Sequence, residues 1–420
     1  PYTDCGFGSA QPQNIRTDLE QAPDGTLHYA FHANDPAAGG TRSVLLGRST
    51  DRGRSWETTV VHGGPKATSP AEVEVNFVQH VNVDPDSHAR VYMTWRRSFP
   101  RVGEEDPRPT RPWMAISEDG GESFGEPFMM LDENTGFDAP RLIVVGERLF
   151  AFYRVSAPSE PEGAPTRLFS AVSTDQGESW EETEIASAAD ASEPIPAYDR
   201  DRNVFFVVWH DNRNGDLDVF FSQSADGTTW SPPARLNDDE PENGRGQYYP
   251  QLALSPGGQL HVAWYDYRDD PYPPPAPDEL GEPLTLGSNL GQLQSVYYAR
   301  SDDAGQTWLP NVRVNDVLID RTIGTWNAQF FVVVPVSIAA WDDRALVSWS
   351  DTRNGTAATG TQDIYASAVT LEEQEQQVAA GSSLPLIFGS VAGALIGAGL
   401  ALWAAVWVMR RTRRRAEAPA

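Results

Sequence analysis

The chain has 420 residues and a formal net charge of −27, with 35 glycines, 33 prolines and a single cysteine, Cys5. One cysteine excludes an intrachain disulfide and any zinc or haem site built from cysteine pairs. The acidity disfavours nucleic acid as a partner, and either attracts a basic soluble protein or simply keeps an exported domain soluble. Abundant turn residues and the lack of long amphipathic helical patterns predict an all-β fold.

Five copies of one turn, Ser-x-Asp-x-Gly-x-Ser/Thr-Trp/Phe, recur along the chain. The Asp carboxylate can accept backbone N–H groups, the Gly can take a positive φ, and the aromatic residue can close a hairpin. Because the turn recurs from one repeat to the next, we interpret its aspartates as structural. The fourth copy is one residue shorter, which predicts a tighter loop. The positions are Asp51, Gly53, Trp56; Asp119, Gly121, Phe124; Asp175, Gly177, Trp180; Asp226, Trp230; and Asp303, Gly305, Trp308.

Two β-rich segments precede each turn, such as TLHYAFHA and SVLLGRS before the first copy. We term these two segments strands B and C. With strand A before them and strand D after the turn, each repeat predicts a four-stranded sheet. A sixth unit, with RALVSWSDTRNG and DIYASAVT as its B and C segments, lacks both the turn and strand D. Since an unpaired sheet edge is a liability, we expect residues 2–9 to complete this sheet.

The repeated turn resembles the Asp-box, or BNR, repeat of the sialidase-like superfamily, whose members are six-bladed β-propellers. The resemblance covers about residues 10–370. It implies that residues 1–370 form a six-bladed β-propeller of four-stranded antiparallel blades, closed by residues 2–9.

The resemblance also implies a catalytic set: three arginines that bind a substrate carboxylate, a Tyr activated by a Glu, and an Asp acid. The Arg-Ile-Pro motif that normally precedes the first Asp-Gly turn is replaced here by QPQNIRTD. We therefore expect no catalytic residues, no metal and no cofactor. A sialidase-type glycosidase with a divergent site is the alternative, and its partial set would be Arg16, Arg141, Glu193, Tyr248 and Tyr249.

A second repeated element, Trp-x-Asp-x-Arg, ends three of the B strands. Asp and Arg two positions apart share one strand face, so we expect these pairs to join neighbouring sheets. An oxygen cage for calcium at residues 211–218 is an alternative, although the segment lacks the full spacing of a calcium loop. The pairs are Asp211 with Arg213, Asp266 with Arg268, and Asp351 with Arg353, and the cage would use Asp211, Asn214, Asp216 and Asp218.

Three long Pro-rich insertions, at 99–111, 157–167 and 269–292, lie between strands B and C. Proline stiffens loops and lowers the entropic cost of binding, so one elaborated face can be a recognition surface. The other interpretation, insertions tolerated on an exposed rim, stays open.

The C-terminal region predicts a membrane anchor. An acidic linker at 371–383 leads to 384–409, which carries no charge over 26 residues and is long enough to span a bilayer. A basic tail at 410–420 predicts a cytoplasmic C-terminus and a periplasmic or cell-surface propeller. A glycine ridge on the span can receive another helix. The tail arginines are Arg410, Arg411, Arg413, Arg414 and Arg415, and the ridge is Gly389, Gly393 and Gly397.

These features predict a non-enzymatic accessory or scaffold subunit of a larger membrane protein complex, such as a respiratory or photosynthetic assembly. Its expected partners are integral membrane subunits and a basic soluble protein.

Overall fold

The computed structural model describes residues 18–35, 41–64, 75–87, 89–98, 111–131, 139–155, 165–272, 291–323, 335–356 and 358–370. The secondary-structure elements in these ranges are all β-strands, so the all-β prediction is confirmed. No helix in the described ranges is long and apolar enough to cross a membrane. The predicted closing strand at 2–9, the linker, the membrane span and the basic tail lie outside the described residues.

The chain divides into two compact units, residues 1–186 and 187–420. In the first unit, consecutive strands pair into three sheets. Sheet 1 comprises β1 (Asp18–Gln21), β2 (Leu27–Asp35), β3 (Thr41–Ser49) and β4 (Glu57–His62); sheet 2 comprises β5 (Val75–Val83), β6 (Val91–Ser98), β7 (Arg111–Ser117) and β8 (Phe128–Met129); sheet 3 comprises β9 (Arg141–Val145), β10 (Arg148–Val155), β11 (Thr166–Ser173) and β12 (Glu181–Ala188), which runs two residues past the unit boundary.

The second unit also holds three sheets. Sheet 4 comprises β13 (Ile195–Asp199), β14 (Val204–Asp211), β15 (Asp218–Ser224) and β16 (Ala234–Arg235); sheet 5 comprises β17 (Gln247–Leu254), β18 (Leu260–Asp266), β19 (Leu293–Ser301) and β20 (Val312–Arg313), with β21 (Ile319–Asp320) paired to the start of β19; sheet 6 comprises β22 (Ser337–Trp341), β23 (Arg344–Asp351) and β24 (Asp363–Thr370). Among the described residues sheet 6 has three strands, as the sequence predicts.

The strands follow the hydrophobic pattern of the sequence. The second strands of sheets 4 and 5 read as nearly continuous apolar runs, and every residue of β18 is buried because sheet faces pack on both sides of it. Edge strands differ: β9 alternates, with Leu142 and Val144 buried between half-buried neighbours. The first strands of neighbouring sheets lie beside each other within each unit, since β5 contacts β1 and β9, and β17 contacts β13 and β22.

The repeated turns have the predicted geometry. Asp51 Oδ1 accepts the N–H groups of Arg54 and Ser55 at 2.9 and 2.8 Å, and Gly53 has φ 78°. The backbone and hydroxyl hydrogen bonds of Ser55 lower the Asp51 pKa to about 2. The short fourth copy keeps this arrangement with Gly227, one position earlier, at φ 77°. Trp56 stays 43% exposed, but its Nε1 donates to the Gly53 carbonyl at 3.2 Å and its ring meets Tyr29 of β2 edge to face.

The turn glycines also pack against the preceding sheet. A Cβ on Gly121 would lie 2.6 Å from Leu46 Cδ2 on β3. A Cβ on Gly177 would overlap Met114 on β7. A Cβ on Gly305 would overlap the Phe221 ring on β15. Each contacted residue lies three positions before the turn serine of its own sheet. The turns therefore link adjacent sheets as well as closing hairpins.

Candidate functional site

The proposed catalytic residues fall in different parts of the chain. Arg16 lies outside the described residues. Arg141 belongs to the first unit, whereas Glu193, Tyr248 and Tyr249 belong to the second.

In the first unit, Arg141 begins β9 and its charge acts on Asp18 of β1. Asp18 Oδ2 lies 3.3 Å from His80 Nδ1 on β5. Burial alone would raise the Asp18 pKa, but the hydrogen bond and charge of His80, together with the charge of Arg141, bring that pKa below its ordinary value. The guanidinium of Arg141 is thus within the field of a carboxylate from its own chain.

Glu20 lies two residues after Asp18 on the same strand, and its pKa is shifted in the opposite direction. Burial, reinforced by the charge of Asp18, raises the Glu20 pKa well above its ordinary value. The backbone N–H of Val83 on β5 donates to Glu20 and offsets part of this increase in pKa. The backbone N–H of Val81, also on β5, donates to Asp18 Oδ2 at 3.4 Å. The two carboxylates of β1 therefore lie along the edge of β5 and cap its N–H groups.

In the second unit, Tyr248 lies on β17 with 1% of its surface exposed. Its hydroxyl donates to Gln294 Oε1 on β19 and lies 3.4 Å from the Tyr267 hydroxyl. Burial raises the Tyr248 pKa. A nucleophilic tyrosine needs a base to take its proton, and a neutral amide oxygen does not do so. Tyr248 is therefore held as a protonated hydrogen-bond donor.

Tyr249 follows Tyr248 on β17, and the two rings meet edge to face at 5.2 Å. The pairing of β17 with β18 shifts between Tyr248 and Gln251, and Tyr249 has φ 53°, which is unusual for a bulky residue. Its N–H donates to His210 Nδ1 at 3.0 Å, and the two rings meet edge to face at 5.3 Å. This bulge turns the second tyrosine toward sheet 4.

Arg321 and Glu193 complete the surroundings of β17 and β13. The charge of Arg321 acts on Tyr248, Tyr267 and Tyr249, and its Cζ lies 5.7 Å from the Tyr267 ring centroid. Glu193 is buried just before β13, and its backbone carbonyl accepts the Ser192 hydroxyl. The hydrogen bonds of the Tyr248 hydroxyl thus go to an amide and a second tyrosine, not to Glu193.

The three Trp-x-Asp-x-Arg elements form one repeated arrangement, which we term the Trp-Asp-Arg module. In the first, Trp209 Nε1 donates to Asp211 Oδ2 at 2.7 Å and Arg213 Nη2 donates to the same oxygen at 2.6 Å. The guanidinium lies 4.4 Å from the ring of Phe220, the cross-strand partner of Trp209. The other modules are Trp264, Asp266, Arg268 over Tyr297 at 4.2 Å, and Trp349, Asp351, Arg353 over Tyr365 at 4.0 Å.

Two of the modules join neighbouring sheets, as predicted. Arg268 Nη1 donates to Asp238 at 2.6 Å, and Arg353 Nη2 lies 2.8 Å from Asp316. Both aspartates follow an asparagine whose Oδ1 accepts a backbone N–H from the third strand of its own sheet, that of Val219 or Val296. This Asn-Asp pair was missed in the sequence, although it begins seven residues after the closing Trp in both repeats.

The calcium alternative gains no support. Among the described residues no group of three or more His, Cys, Asp or Glu side chains is arranged to hold a metal ion. Both oxygens of Asp211 are taken by Arg213 and Trp209, and Asp218 accepts from Arg235 and Asn237 at 2.6 and 2.7 Å. These carboxylates neutralise arginines of the same unit.

The comparison with known protein families agrees with the repeat pattern. A family model described as "BNR repeat-like domain" matches residues 19–262. A protein of unknown function from Dyadobacter fermentans is similar in structure at 13% identity, covering 84% of this chain and 93% of that one, with a TM-score of 0.53. Trypanosoma rangeli sialidase, solved with 2,3-difluorosialic acid, is 13% identical over 86% of this chain and 54% of that one, with a TM-score of 0.47. No curated protein sequence matches.

Proposed function

Because the chain belongs to the BNR repeat-like domain family, we propose that it is a sialidase-like propeller that binds proteins instead of cleaving glycans. The observation that carries this proposal is the state of Tyr248. That hydroxyl is buried, donates to an amide and has a raised pKa, which are conditions opposite to those of a nucleophile. Arg141, the described arginine of the catalytic set, is in the field of Asp18.

The architecture that we propose for this function is a six-bladed ring made from the six sheets, with residues 2–9 supplying the fourth strand of sheet 6. Five sheets with at least four strands and one with three support it. Proteins rarely leave such an edge unpaired. Deleting residues 1–10 should lower the melting temperature by several degrees, roughly what 1–2 kcal/mol produces in a domain of this size. An unchanged melting temperature contradicts closure by this segment.

We further propose that the propeller lies outside the cytoplasm on a single membrane span at 384–409 and acts as an accessory subunit of a membrane complex. The charge-free stretch followed by five arginines supports the span and its orientation. The glycine ridge supports a helix partner.

Purification of the full chain in mild detergent tests this role. We expect stoichiometric integral membrane proteins to accompany the wild type and to be lost from Gly393→Leu. Gly399→Leu is the matched control, because Gly399 lies off the ridge of Gly389, Gly393 and Gly397. Equal recovery from both variants rejects the ridge as the contact, and a chain purified without any stoichiometric partner rejects the subunit role.

One observation favours the alternative, a divergent glycosidase. Arg321 lies among three tyrosines beside a strained bulge, and strain of this kind is concentrated at functional sites. A fluorogenic sialoside assay distinguishes the two functions: turnover abolished by Tyr249→Phe or Tyr248→Phe establishes the enzyme.

A further inference from the structure

We propose that Arg213, in the first Trp-Asp-Arg module, is a docking point for an aspartate or glutamate side chain of a partner protein. This inference rests on the proposed binding function, because it specifies the chemistry of one contact that the function would use. It comes from comparing the three modules with one another.

The second and third modules show what such an arginine binds. Arg268 Nη1 donates to Asp238 Oδ1 at 2.6 Å, and Arg353 Nη2 lies 2.8 Å from Asp316 Oδ1. Each aspartate lies eight residues after the closing tryptophan of the preceding repeat, Trp230 or Trp308. In both cases the arginine is already hydrogen-bonded to the aspartate of its own module. A second carboxylate, from the segment that connects two sheets, then binds the same guanidinium.

The first module lacks this carboxylate. The residue eight positions after Trp180 is Ala188, whose methyl group cannot accept a hydrogen bond. Asp190, two residues further on, accepts from Asn212 at 3.1 Å instead. Arg213 uses Nε and Nη2 on its own Asp211, and within the described part of the chain Nη1 has no acceptor.

The Arg213 guanidinium is accessible and already oriented. Its side chain is 28% exposed, against 15% for Arg268 and 14% for Arg353. Asp211 fixes one edge of the planar group, and the Phe220 ring lies beneath it at 4.4 Å. Because little side-chain freedom remains to be lost, a carboxylate can bind the open edge at low entropic cost.

The local charge selects a carboxylate over a more highly charged anion. Arg213 is bound to Asp211, its neighbour Asn212 is bound to Asp190, and the chain carries a net charge of −27, so a dianion would be repelled more strongly than a single carboxylate. The same field favours a partner whose surface is otherwise basic. We therefore expect the docked residue to be an isolated Asp or Glu on a basic protein.

A pair of short peptides tests the site without the natural partner. The full chain, in mild detergent with 15N-labelled arginine, is titrated with Ac-Gly-Asp-Gly-NH2 and with the neutral Ac-Gly-Asn-Gly-NH2 at constant ionic strength. The aspartate peptide should shift the Arg213 Nε–H resonance saturably, with a dissociation constant on the order of 10–100 mM for a single exposed charged contact. The Arg268 and Arg353 resonances should not move.

Two reciprocal variants make the test specific. Ala188→Asp supplies the missing carboxylate internally and should weaken binding at least tenfold, as should Arg213→Gln. Asp316→Ala empties the third module and should create a second responsive resonance at Arg353. The inference is overturned if the asparagine peptide binds equally well, if Arg213→Gln leaves binding unchanged, or if Ala188→Asp binds like the wild type.

The outcome is separable from that of the proposed function. Aspartate-peptide binding at Arg213 without any co-purifying partner refutes the accessory role and keeps the site. A recovered partner whose yield is unaffected by Arg213→Gln, with no peptide response at Arg213, refutes the site and keeps the role.

Discussion

Replacing Gly305 with alanine tests whether the repeated turns link sheets. Gly305 has φ 82°, and an added Cβ would overlap the ring of Phe221 on β15 of the preceding sheet. Gly215 is a matched control in the same unit: its φ is 96°, but its nearest neighbour, Glu242 Cγ, would lie an ordinary 3.7 Å from the new atom. The two substitutions therefore share the backbone strain and differ in the collision.

The expected magnitudes follow from these two costs. A positive φ costs a residue with a Cβ about 1–2 kcal/mol, which both variants bear. Forcing a methyl group against a packed aromatic ring adds roughly 1–3 kcal/mol. Gly305→Ala should thus lose about 2–5 kcal/mol of unfolding free energy and Gly215→Ala about 1–2 kcal/mol.

Urea unfolding of the full chain in detergent, followed by tryptophan fluorescence, measures both losses. Adding Phe221→Leu to Gly305→Ala should make the double variant less destabilised than the sum of the single changes, by about 1 kcal/mol or more. Equal losses for Gly305→Ala and Gly215→Ala, or strict additivity with Phe221→Leu, would refute the contact between the turn and the preceding sheet.

Three further predictions concern the polar contacts. Because the Glu20 pKa is raised above its ordinary 4.5 on folding, its penalty grows as pH rises through that value, so Glu20→Gln should raise the melting temperature at pH 7 and leave it unchanged near pH 4. The Asp18 pKa is lowered, so its stabilisation is present above its ordinary 3.8 and fades as pH falls further; Asp18→Asn should lower the melting temperature at pH 7 by a few degrees. Thermal melts from pH 3 to 8 check both, and the same shift at every pH would count against either sign. Asp316→Asn removes the charged partner of Arg353 and should lower the free energy of unfolding by about 1 kcal/mol. The control Asp343→Asn, in an exposed pair with Arg344, should lower it by less than about 0.5 kcal/mol. Equal losses of unfolding free energy in urea would show that the ion pair between sheets adds no more stability than an exposed pair.

The parts of the fold that local sequence determines could be predicted. The strand pairs before each turn, the turn geometry and the three described strands of sheet 6 all depend on residues within one repeat. The loop at Asp226 illustrates this: shortening moves the glycine by one place, yet the same carboxylate still accepts the N–H groups of Thr228 and Thr229.

The site could not be predicted to the same degree, because its chemistry depends on residues that are distant in sequence. The role of Tyr248 depends on Gln294, 46 residues away, and on burial, which raises the Tyr248 pKa although the charge of Arg321 acts to lower it. The bulge at Tyr249 did carry a signal that was missed: Pro250 follows it within β17, and strands accommodate proline at edges and bulges. The Asn-Asp pairs did carry a signal, a fixed spacing from the closing tryptophan, which becomes meaningful once Arg268 and Arg353 are seen to bind them.

The fold has its six sheets, and among the described residues the Tyr248 hydroxyl is hydrogen-bonded to an amide and a second tyrosine, not to a carboxylate base. The most direct measurement is turnover of a fluorogenic sialoside by the purified full chain, compared with its Tyr248→Phe and Tyr249→Phe variants. The account predicts no turnover above buffer for any of the three proteins. Hydrolysis by the wild type that disappears in either variant would contradict it.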